Sequence, residues 1–322
     1  MSDRLKLILE PMHIINPLKI LVALSSVTMF GLLSIASLFF AALPIEAKKK
    51  SDKQLQEEEI AEETGTMAFH LLAQLNEREQ EAYTAYSTAL DEGDIDKIKR
   101  DLQSIVDGYD KLIGIAPDYA PAFVSYGQML KRIGERDAAN AMFIRADEID
   151  PGLPLVKNQL GNYMAEEGKF LEALGYYLIA AKLAPDEALY PYQMGNLLQS
   201  YKKLFIAEKM YKPKTIDMKI QENFKKAMDL SPEKTEYQFR YAQSFFEVSN
   251  PNWMLALEQW HDLANKAGGE FEKQLVLIST ARVRIELGHV TAAKKILKDL
   301  DHPEVQNARL ELYGMIDREM AK

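Results

Sequence analysis

Few residues in this sequence stand at spacings that support chemistry. Of the five histidines, His13, His70, His261, His289 and His302, no two lie three or four positions apart. That is the spacing at which one helix face offers a pair of imidazoles to zinc. There is no cysteine, which removes disulfides, thiolate metal sites and a thiol nucleophile. No GxSxG motif is present, and Gly268-Gly269 stands alone, as a chain break rather than a phosphate-cradling loop. Trp253 and Trp260, seven apart, read as core rather than as a ligand box. The expectation is no enzyme, no metal site and no cofactor.

One charged cluster is basic in an otherwise acidic chain. Residues 199–220 hold Lys202, Lys203, Lys209, Lys212, Lys214 and Lys219 against only Glu208 and Asp217, interleaved with Leu204, Phe205, Ile206, Met210 and Tyr211. Pro213 should break this stretch, so one helix is expected to run to about Tyr211 and the next to start near Thr215, both projecting as a finger. Either the apolar residues zip the two arms while the lysines solvate them, or Lys202, Lys203, Phe205, Lys209 and Lys212 form a contact for an acidic partner or anionic lipid.

The elements that would carry such a cluster follow from a repeat. Phe123, Tyr126, Gly127, Leu130, Gly134, Ala139, Phe143, Ala146 and Pro151 recur 34 positions later as Lys157, Leu160, Gly161, Met164, Gly168, Ala173, Tyr177, Ala180 and Pro185. Only Lys157 breaks the chemical class. Gly127 and Gly161, with the four alanines, allow two helices to approach closely. Gly134 and Gly168 end the first helix, and the prolines stop the second. A period of this length marks a helix–turn–helix array.

The pattern resembles the tetratricopeptide repeat. The resemblance implies an all-α, right-handed α-solenoid of helix pairs that binds other proteins in a concave groove. Strong repeats cover 120–153 and 154–187. A third, 188–234, carries 13 extra residues, because Pro185 and Pro232 stand 47 apart instead of 34. Divergent repeats are read at 77–119, 235–267 and 271–302, and a terminal helix at 303–320, all within a solenoid of 67–322. In the family, the first helix of each pair lines the groove. Carried over, the groove residues are Gln128, Asn158, Gln159, Asn162, Tyr192, Gln193, Asn196, Phe239, Arg240 and Gln243. Amides both donate and accept, so they could hold an extended peptide by its backbone, although the same residues would also serve a merely soluble face. Relatives that grip chaperone tails use a clamp of basic residues. The matching places here hold Val124, Gln128, Gln159, Leu189 and Gln193, which predicts no such clamp.

Residues 1–19 form a short tail. Residues 20–43 carry no charge, and a helix of that length would span ~36 Å, enough for a hydrocarbon core of ~30 Å. This stretch is expected to be a transmembrane anchor or, with cleavage near Ala47, the h-region of a signal peptide. A charged linker follows at 44–66, with Glu57-Glu58-Glu59 and Glu62-Glu63. Lysines flank the span on both sides, so charge does not fix its orientation. An inner-membrane protein with an extracytoplasmic, periplasmic repeat domain is the expected arrangement. The net charge is −9, so no nucleic-acid partner is expected. The whole reads as a membrane-tethered scaffold for a protein or peptide partner, acting in assembly or translocation at the cell envelope. The alternatives are a self-associating structural homo-oligomer and a non-catalytic subunit of an enzyme complex.

Overall fold

The computed structural model describes residues 52–89 and 91–320, with side chains from Glu62 onward. The tail 1–19, the apolar stretch 20–43 and the first part of the charged linker lie outside these residues. Among the described residues no helix is long and apolar enough to cross a membrane. Every regular element described is helical. The chain divides at Arg145/Ala146 into two compact units.

In the first unit, α1 (Asp52–Thr88) is a single helix of 37 residues. Its Glu, Lys, Gln, Ala and Leu content, without proline, suits a long helix. The linker residues from Asp52 onward therefore continue the helix expected over 67–90. Helix α2 (Glu92–Ile115) opens with Asp91 as N-cap, its side chain accepting from the Asp94 amide. The two helices bury Leu75, Ile105, Tyr109 and Leu112. Helix α3 (Ala120–Arg132) follows, with Tyr126 stacked parallel on Tyr109 at 5.1 Å between ring centroids. Arg132 pairs with buried Glu79 at 2.6 Å. Burial pushes the Glu79 carboxyl above its ordinary 4.5, and the Arg132 charge opposes this without cancelling it. Helix α4 spans Arg136–Ile149.

In the second unit, α5 (Pro154–Glu166) and α6 (Phe170–Leu183) form one helix pair. The turn between them needs Gly168, whose φ of 73° lies in the left-handed region. Within the pair, a Cβ on Gly161 would stand 2.6 Å from the Tyr177 ring. The same meeting of glycine and aromatic recurs at Gly195 with Phe224, at 2.6 Å, and in the first unit at Gly127 with Phe143, at 2.8 Å. Lys157, the one break in the repeat pattern, is buried and pairs with Asp147 at 2.6 Å. A charge thus replaces the ring of Phe123 only where a carboxylate meets it.

The third repeat departs from expectation. Helix α7 (Leu189–Ser200) stops early, α8 (Lys202–Ala207) is a short helix, and α9 (Pro213–Leu230) begins at the proline itself. Pro213 occupies the first helical turn, where a missing N–H is harmless. No two long arms project as a finger. Phe205 is fully buried, edge-on to Phe170 at 4.8 Å, and so belongs to the core rather than to a contact surface. Lys202 is tied down as well, pairing with buried Asp217 and donating to the Glu247 carbonyl at 3.0 Å. Lys203, Lys209 and Lys212 remain exposed.

The remaining helices are α10 (Thr235–Ser244), α11 (Trp253–Lys266), α12 (Glu270–Glu286), α13 (Val290–Lys298) and α14 (Gln306–Met320). One core runs from Tyr177 through Phe205, Phe224, Phe245 and Trp260 to Val283. A second cluster, including Ile278, Leu297, Leu312 and Ile316, closes the C-terminal end.

Candidate functional site

The inferred groove residues divide by what their polar atoms already do. In the first unit, Gln128 is half-buried on α3. In the second, Asn158 is only 2 % exposed, so it cannot line an open face as expected. Its side-chain oxygen is enclosed without a hydrogen-bond partner. Asn162 accepts from the Tyr177 hydroxyl at 2.7 Å and donates to Gln159 at 3.3 Å. Arg240 donates to Asn196 at 3.2 Å and to Glu247 at 3.0 Å, and its guanidinium lies 4.2 Å above the Phe224 ring. Tyr192 donates to Glu236 at 2.8 Å. Burial first, then that carboxylate, pushes its hydroxyl up to about 12, so it remains a neutral donor. Much of the amide face therefore joins one helix to the next, and Gln193 and Gln243 retain more freedom.

Phe239 and Gln243 lead to a cavity of about 360 Å³ among α10, α11, α12 and α14. Its wall is aromatic. The Phe239 ring meets Trp260 edge-on at 5.2 Å, and Phe246 stacks on Trp260 at 5.9 Å. Ile278 and Leu312 supply an apolar floor, both buried. Arg282 completes the wall, its guanidinium 4.2 Å above Phe246. The exposed Glu311 also lines the cavity. A larger depression of about 690 Å³, near the turn at Gly288, has no aromatic wall. The arrangement around Trp260 can seat an apolar side chain and order a polar group beside it. It holds no nucleophile paired with a base. Among the described residues, no three His, Asp or Glu side chains are placed to hold a metal ion.

Sequence reasoning reached Phe239 and Gln243 but missed Arg282, Ser279, Glu311 and Met315. The signal was present. Leu275, Ile278, Ser279 and Arg282 stand at i, i+3, i+4 and i+7, as do Ala308, Glu311, Leu312 and Met315. Each set therefore shares one helix face. What masked them was the divergence of these last repeats from the pattern of the strong ones.

No family profile and no curated protein matches the chain. Solved structures do. YrrB, described as a TPR protein with an unusual peptide-binding site, superposes with a TM-score of 0.50 at 13 % identity, covering 67 % of this chain and 100 % of its own. PilF of Pseudomonas aeruginosa superposes with a TM-score of 0.50 at 17 % identity, covering 73 % of this chain and 99 % of its own. With the glycine–aromatic meetings inside its helix pairs, the chain has the all-helical fold of the tetratricopeptide-repeat proteins.

Proposed function

We propose that this protein is a non-catalytic tetratricopeptide-repeat scaffold that binds a protein or peptide segment, tethered to a membrane through residues 20–43. The observation that carries the binding reading is the Trp260 cavity with the exposed Gln243 on its lining. It combines an amide that can pair with a peptide backbone and an aromatic recess that can hold a side chain. YrrB, of similar fold, is described as having a peptide-binding site. Tethering rests on the uncharged stretch 20–43. A repeat domain outside the inner membrane and a role in envelope assembly or translocation are the arrangement we favour. The exposed lysines Lys203, Lys209 and Lys212 offer a second, electrostatic contact.

Photocrosslinking in intact cells tests the binding reading. A photoreactive residue replacing Gln243 should yield a discrete crosslinked protein, and one replacing the exposed Glu258 should not. The same products from both positions, or none from Gln243, would remove the groove from consideration. Crosslinks to a second copy of the chain would instead favour the self-associating alternative.

A further inference from the structure

We infer that the Trp260 cavity selects a peptide in which an apolar side chain stands beside a carboxylate, with the apolar group seated on the aromatic wall and the carboxylate on Arg282. This rests on the peptide-binding reading above and adds the chemistry of the ligand. Arg282 is half-buried and lies on Phe246. Its Nε is enclosed without a hydrogen-bond partner, and none of the ion pairs among the described residues involves it. A guanidinium cannot lose its proton, so it stays a cation in an apolar wall without a counter-ion.

Of the other polar groups of the lining, Gln243 offers only a neutral amide and none is paired with Arg282. Trp260 brings a second enclosed donor, its indole N–H, also without a partner. The Ser279 hydroxyl is occupied, donating to the Leu275 carbonyl at 3.0 Å. Glu311 lines the same cavity without pairing with Arg282. The recess thus carries a guanidinium without an ion pair, and an occupant that brings an anionic acceptor matches it. A carboxylate fits best, because a planar guanidinium can take it in two parallel hydrogen bonds. The volume of about 360 Å³ is small for a helix and large enough for one or two side chains. An extended segment is therefore favoured over a helix laid in a groove.

The test is selection of a random-peptide display library on the full-length chain, with Arg282→Gln and Glu311→Gln in parallel. Selected sequences should place Asp or Glu beside Phe, Leu or Met. A synthetic peptide of that pattern should bind Arg282→Gln roughly tenfold or more weakly, since a charge-assisted bond is lost. It should bind Glu311→Gln more tightly, because a like charge has gone from the lining. Glu311 is exposed, so that variant stays informative even if Arg282→Gln disturbs folding. Selected peptides without acidic bias, or equal affinity for all three proteins, would overturn the assignment of Arg282 while leaving peptide binding intact. An empty selection would overturn both readings. Self-association abolished by Arg282→Gln would give the cavity to a second copy and overturn the inference.

Discussion

Replacing Gly161 with alanine adds one carbon where the packing leaves no room for it. The new Cβ would stand 2.6 Å from Tyr177 Cε1, 2.7 Å from Cδ1 and 3.3 Å from Tyr176 Cβ. Carbon atoms pack at ~3.5–4.0 Å, so the ring must retreat by about 1 Å. Tyr177 is only 3 % exposed, and its hydroxyl is fixed to Asn162 at 2.7 Å, so little retreat is open to it. Overpacking of this kind costs ~1–3 kcal/mol, while alanine in a helix gains ~1 kcal/mol over glycine. The net loss should be ~0–2 kcal/mol, and larger for Gly161→Leu. Gly175, in the middle of α6, is exposed, and a Cβ added there would meet nothing within 4 Å, so Gly175→Ala should instead gain ~1 kcal/mol. The two alanine variants should therefore differ by ~1–3 kcal/mol in opposite directions from the parent. Urea denaturation of the full-length chain, followed by far-UV circular dichroism, compares the midpoints without assuming two-state unfolding of a repeat array. A Gly161→Ala midpoint equal to or above that of Gly175→Ala would refute the packing argument.

Three further outcomes are expected from the same measurement. Phe205→Ala should lose ~3–5 kcal/mol, because a fully buried ring is removed, while Lys209→Ala on the exposed stretch beside it should change little; equal effects would return Phe205 to the surface. Burial alone would raise the Asp217 carboxyl, but Lys202 and the two Ser249 donors outweigh it and hold the group below its ordinary 3.8. Its stabilisation is therefore present above 3.8 and lost as pH falls through the depressed value, so Asp217→Asn should cost ~3 kcal/mol at neutral pH and converge on the parent in acid; a gap independent of pH would contradict this. For Glu79, held above 4.5, the folded chain keeps its proton longer than the unfolded one, so stability should fall as pH rises from 4.5 through the raised value. Glu79→Gln should lack that step, and an unchanged pH profile would place the titration elsewhere.

What the sequence made legible follows the strength of its periodicity. Gly161 and Gly168 could be assigned their separate tasks, close approach and turn, because each recurs 34 positions from Gly127 and Gly134 with the same neighbours. The insertion was legible in length but not in path. Its alternation of lysines and apolar residues fits a projecting amphipathic pair and an inward fold equally well, and only the packing of Phe205 against Phe170 decides between them. The groove shows the same limit. Helical spacing places Asn162 and Asn196 on a face, yet says nothing of Tyr177 and Arg240, which reach them from other elements and occupy their oxygens. In the regular repeats such amides are largely spent on holding helices together. Buried polar atoms without a hydrogen-bond partner occur in the regular repeats too, Asn140 and Asn158 among them, but Arg282 and Trp260 carry theirs in residues that line a recess. A protein leaves buried polar groups unpaired at a cost, and at Arg282 and Trp260 that cost is borne by residues lining a cavity, where a partner can contribute.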